Sequence, residues 1–94
     1  MKKTIHTRQS QCVREALVKL RQRARLTQRQ LARKLGREHS LISRLELGER
    51  RVDVVEFFWI CQACGADPVR TAGSLMRQLA KIQAESLAGC CKTG

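Results

Sequence analysis

The chain has no tyrosine, one tryptophan and two phenylalanines among its 94 residues. A protein that stacks unpaired bases on aromatic platforms draws on more rings than this, and here all three sit together as Phe57, Phe58 and Trp59, which argues against RNA or single-strand recognition. No apolar run approaches the roughly 18 residues of a membrane span. The start MKKTIHTRQSQ has no apolar segment after its lysines and does not read as a secretory leader, so a soluble, cytoplasmic protein is expected. No Ser-His-Asp set, phosphate-cradling loop or paired carboxylates stand out, so no enzyme and no cofactor are expected. The five cysteines, Cys12, Cys61, Cys64, Cys90 and Cys91, are odd in number, as fits a compartment where thiols stay reduced.

Acids are also scarce, at eight against 19 Lys or Arg, for a formal net charge of +11. The imbalance is local. Residues 1 to 52 hold 15 Lys or Arg and 4 Asp or Glu, whereas residues 53 to 94 hold four of each. A basic half of this kind is the footprint of a surface that meets a polyanion, and charge alone leaves open the alternative of a solvated basic face. At this length one domain with a single core is expected, and 43% hydrophobic content is enough to build it.

Helical periodicity begins near Ser10, where Val13, Leu17, Leu20 and Ala24 form one stripe, and a first helix is expected to end near Arg25. Thr27 is a suitable N-cap for a short second helix with Leu31, Ala32 and Leu35 inward, closed by Gly36. A third helix is expected over His39 to Leu47, closed by Gly48. Stepping about 100° per residue places Leu41, Ile42, Leu45 and Glu46 on the core side, and His39, Ser40, Ser43, Arg44 and Leu47 on the opposite arc. Asp53 can cap a fourth helix, VVEFFWICQACG, and Asp67-Pro68 starts a fifth that runs to about Ala88. On that last helix Val69, Ala72, Leu75, Met76, Leu79 and Ile82, with Gln83 or Ser86, fall on one side. The division expected is 10–68 for the compact domain, 69–89 for a C-terminal helix able to pair with a second copy, and 90–94 for a flexible tail.

A helix ending in glycine, a short turn and a second helix with a polar outer face is the helix-turn-helix arrangement. The third helix would then lie in the DNA major groove, which admits one α-helix and shows each base pair a different donor and acceptor pattern.

The segments LTQRQLARKLG, SLISRLELGER and CGADP together resemble the lambda-repressor-like, or Xre-type, helix-turn-helix proteins, in register over about Val13 to Pro68. The resemblance implies an all-α, five-helix domain with an extended C-terminal helix. It also implies that Gln28 contacts a backbone phosphate, that His39, Ser40, Ser43 and Arg44 read bases, and that Arg21 pairs with Glu46. Arg44 carries a planar fork able to donate twice to guanine, worth about 1 to 3 kcal/mol of discrimination; a phosphate contact is the alternative. Arg37, Arg50 and Arg51 flank the recognition helix, either at phosphates or as solvated charges. Arg29, Arg33 and Lys34 point away from the third helix on the wheel. Two positions depart from the family pattern at the turn, where Arg37 replaces an apolar residue and Glu38 replaces a Ser or Thr cap, and Leu47 is apolar where relatives are polar.

Cys61-x-x-Cys64 has the spacing of half a metal site, with Cys90 and Cys91 as further thiols, but in mid-helix it reads as core packing and no metal is expected. The expected function is a double-stranded DNA-binding transcriptional regulator, a repressor acting as a homodimer. The rival readings are an antitoxin-type module that binds a small protein partner as well as its operator, and a thiol- or metal-responsive sensor.

Overall fold

Five helices follow one another in the computed structural model, which describes the backbone of residues 7–91 and the side chains of residues 7–86. They are α1 (Arg8–Arg23), α2 (Gln28–Leu35), α3 (His39–Leu47), α4 (Val54–Ala63) and α5 (Pro68–Cys91), with no strand among the described residues. The all-α expectation holds.

Most boundaries come from local chemistry. Thr27 accepts from the Gln30 backbone while the Gln30 side chain accepts from Thr27 N, a reciprocal capping box that opens α2. Asp53 and Glu56 repeat the device at α4. Asp67 Oδ1 accepts from Val69 N at 2.9 Å, next to Pro68 at the first position of α5. Gly36 and Gly48 end α2 and α3 at φ 68° and 81°, the left-handed geometry that glycine adopts without a Cβ penalty.

The two ends of α1 differ from expectation. Thr7 Oγ1 accepts from Ser10 N at 3.0 Å, so the helix starts at Arg8, ahead of the first apolar residue of its stripe. It stops at Arg23 because Arg25 turns to φ 59°, letting Leu26 N reach Arg21 O at 3.1 Å. A side chain in that region costs about 1 to 2 kcal/mol, and with no glycine to mark it the stop falls two residues before the expected end near Arg25.

The core is one cluster. Leu17 and Leu20 of α1, Leu31 and Ala32 of α2, Ile42 and Leu45 of α3, and Ile60 and Cys61 of α4 are buried together, with Leu26, Leu35, Leu41, Val52, Phe57 and Cys64 around them. Cys61 thus packs as expected, fully buried, and burial pushes its thiol and that of Cys64 above the ordinary range. Cys64 caps α4 and is not within it.

The last helix lies antiparallel to α1. Gln9 Nε2 donates to Leu79 O and Gln83 Oε1, Cys12 Sγ meets Gln78 Oε1 at 3.2 Å, and Arg8 faces Glu85 at 3.6 Å. Leu75 is buried and Ala72, Leu79 and Ile82 are half-buried against this seam, but Val69 and Met76, expected on the same stripe, are exposed. The seam is narrower than the stripe. The helix continues past Ala88 through Cys91, into the segment expected as a tail. The thiols of Cys90 and Cys91 and residues 92–94 lie outside the described residues.

Candidate nucleic-acid interface

The turn between α2 and α3 is Gly36, Arg37 and Glu38, closed by Arg37 N donating to Ala32 O at 2.9 Å. Glu38 occupies the cap position of α3 without a side-chain cap hydrogen bond; its carboxylate instead accepts from Ser40 Oγ at 3.4 Å. The wheel of α3 is as read from the sequence. Ile42 and Leu45 are buried and Leu41 is half-buried, while His39, Ser40, Arg44 and Leu47 are exposed and Ser43 is half-buried.

Glu46 sits under this face at the centre of a polar network. Arg21 Nε approaches Glu46 Oε2 at 2.7 Å and Arg21 Nη2 approaches Oε1 at 3.0 Å, joining α1 to α3 as expected. Arg21 Nη1 also donates to Leu26 O at 3.0 Å, which fixes the turn into α2. The carboxylate holds the guanidinium above its ordinary pKa, outweighing the opposing effect of burial. Side-chain exposures of 16% for Arg21 and 9% for Glu46 place the pair among interior ion pairs.

Gln28, expected at a phosphate, is half-buried and engaged twice within the protein: Nε2 donates to Glu46 Oε1 at 2.8 Å and Oε1 lies 3.2 Å from His39 Nε2. The network therefore runs Arg21, Glu46, Gln28, His39 and ends at the first residue of the exposed face. Neither the wheel nor the charge count carried that link, because it depends on where α2 starts relative to α3.

Arg50 shows the larger departure from the expected roles. Its Nη1 and Nη2 meet Glu56 Oε1 and Oε2, both at 2.8 Å, so the guanidinium is tied to the first turn of α4 while the side chain stays partly exposed. Glu56 was absent from the expected site. It is buried, and the Arg50 hydrogen bonds hold its carboxyl below the usual range against a smaller opposing effect of burial. Arg14, from α1, lies across Gly48 and its Nη1 reaches Glu46 O at 3.5 Å.

Two shallow clefts flank the start of α3. On one side Arg37, Arg44 and Arg50 line a cleft with Gly36, Glu38, Ser40 and Leu41. On the other, Arg25 and Arg29 line a cleft with Thr27, Gln28 and His39. Arg29, which the wheel turned away from α3, thus borders the exposed face, whereas Lys34 is tied to Ala63 O at 3.0 Å. Basic side chains on both sides of a polar helix face form the arrangement that a duplex groove and its two phosphate walls require.

The profile of a helix-turn-helix domain family matches residues 14–72. A solved structure, an XRE-family like protein from Pseudomonas syringae pv. tomato str. DC3000, is similar at 39% identity and a TM-score of 0.72, covering 80% of this chain and 92% of that one. No curated relative matches the chain. Among the described residues no group of His, Cys, Asp or Glu is placed to hold a metal, and no helix is long and apolar enough to cross a membrane.

Proposed function

The chain belongs to the Xre-type helix-turn-helix family and is in general terms a DNA-binding regulator; from this premise we propose that it represses transcription by inserting α3 into the major groove of a specific operator. The single observation that carries the reading is the exposed arc His39, Ser40, Arg44 on a helix whose other face is locked into the core, between two basic clefts. In this proposal His39, Ser40, Ser43 and Arg44 face base edges, and Arg37 and Arg51 face phosphates. Arg50 acts one step back, ordering the loop that follows the recognition helix. Gln28 positions His39 in addition to any phosphate contact.

Two copies acting together would read half-sites about one helical turn apart. Exposed Val55, Phe58 and Trp59 on α4, and Val69 and Met76 on α5, supply apolar surface that supports pairing. The test is selection of bound sites from random duplex DNA, read together with sedimentation of the free protein. An enriched, two-fold symmetric motif is the expected result, and duplex binding without sequence preference would reject the proposal.

A further inference from the structure

The network beneath the recognition helix fixes which atoms donate between Glu46, Gln28 and His39. Arg21 donates to both oxygens of Glu46, so that carboxylate is an acceptor at every remaining position. The Gln28 atom 2.8 Å from Glu46 Oε1 must then be the amide nitrogen, since the reverse orientation would set a carbonyl oxygen against a carboxylate. That leaves Gln28 Oε1, an acceptor only, facing His39 Nε2 at 3.2 Å. Two lone pairs would repel there, so His39 carries a proton on Nε2. In the neutral ring Nδ1 is then a bare acceptor, and among the described residues it has no protein partner on an exposed side chain.

We propose that His39 selects an exocyclic amine on the base it faces, N4 of cytosine or N6 of adenine, through Nδ1 held as an acceptor by Glu46 acting across Gln28. The inference rests on α3 lying in the major groove, as proposed above. In that groove guanine presents N7 and O6 and thymine presents O4 and a methyl group, none of them a donor, so both are disfavoured on the strand that Nδ1 faces. The choice is made by a carboxylate on the core side of the helix that never touches DNA. Gln28 is on this account a positioning residue for specificity, where a phosphate contact alone would make it indifferent to sequence.

Three measurements separate this inference from the reading beneath it. In the free protein, nitrogen-15 correlation spectra of the imidazole should show the Nε2–H tautomer for His39; an Nδ1–H tautomer overturns the inference without reference to DNA. In site selection, the position whose preference relaxes in His39→Ala should be adenine or cytosine, and Gln28→Ala should relax the same position while leaving the others intact. Guanine or thymine there, or an equal loss on every sequence for Gln28→Ala, overturns it. With the wild-type protein, removing the amine by substituting purine for adenine, or 2-pyrimidinone for cytosine, should weaken binding about tenfold, the scale of one lost base contact. An unchanged affinity overturns the inference, and because the analogues leave the protein intact this arm decides even if Gln28→Ala folds poorly. Absence of any selectivity in the wild type rejects the parent reading and this inference with it, whereas a motif with the wrong base at this position rejects only the inference.

Discussion

Arg50 and Glu56 face each other across the loop from α3 to α4 as a two-pronged ion pair, with both contacts at 2.8 Å. The same Glu56 accepts from Asp53 N at 3.1 Å, so one carboxylate secures the loop and caps the next helix. On the other side of α3 Glu46 holds Arg21 in a similar way. Two acids thus draw two arginines inward, Glu46 from the last turn of the recognition helix and Glu56 from the first turn of α4. The cations left at the rim of the exposed face, among them Arg37, Arg44, Arg25 and Arg29, are those available to a polyanion.

The Glu56 carboxyl has its folded pKa depressed below the unfolded value of about 4.3, so its contribution to stability is complete above that value and is lost as pH falls through the folded one. Acid unfolding followed by circular dichroism should therefore show a limb below about pH 4.3 that is flattened in Glu56→Gln. Arg50→Ala should cost about 1 to 2 kcal/mol at neutral pH, between exposed and interior pairs, because Arg50 is 39% exposed while Glu56 is 7% exposed. An unchanged acid limb in Glu56→Gln would show that the pair does not couple to folding.

Breaking the second pair should cost more. Arg21→Ala leaves the Glu46 carboxylate beside the core with only Gln28 as donor, and a loss of about 3 kcal/mol is expected in urea denaturation. Glu46→Ala removes the centre of the network and should match it, with the double variant costing little more than either alone. Additive losses would mean that the two side chains act independently.

Gly48 and Gly36 both end helices in the left-handed region, but their surroundings differ. A Cβ at Gly36 would meet nothing within 4 Å, so Gly36→Ala should cost only the backbone strain, about 1 kcal/mol. At Gly48 the added carbon would lie 2.8 Å from Arg14 Cδ and 2.9 Å from Arg14 Nε, an atom that is itself buried without a hydrogen bond. Gly48→Ala should be the more destabilising by thermal melt, and adding Arg14→Ala should bring its cost down to that of Gly36→Ala. Equal costs for the two single glycine variants would remove Arg14 from the account.

Local signals proved the most legible. Thr27, Asp53 and Asp67-Pro68 as starts, and Gly36 and Gly48 as stops, each act within one turn of chain, so a sequence pattern is enough to read them. The wheel of α3 placed Glu46 correctly because a helix face is set by a fixed angle. Arg50 was not legible, since its choice between solvent and Glu56 depends on the path of a loop without periodicity. The link from Gln28 to His39 needs the angle between two helices, which no spacing encodes. Val69 and Met76 share a helix side with Leu75 because periodicity counts apolar residues on a face, but it does not tell which of them neighbours cover, and only the edge carried by Leu75, Leu79 and Ile82 is covered.

The exposed arginines should separate by role in one binding experiment. Arg44 projects from α3 within the arc proposed to face bases, so Arg44→Ala should relax preference at one base pair and cost about 1 to 3 kcal/mol on the selected site, with much less lost on random duplex. Arg37 lies in the turn and Arg51 in the following loop, where a guanidinium reaches the backbone more readily than a base edge. Arg37→Ala and Arg51→Ala should weaken all sequences alike and shallow the plot of log affinity against log salt by about one unit each, since every phosphate contact releases close to one condensed cation. Titrations of selected and scrambled duplexes at several salt concentrations supply both readouts. If Arg44→Ala instead weakens both duplexes equally and changes the salt slope, Arg44 belongs with the phosphate contacts, and base reading by α3 rests on His39, Ser40 and Ser43.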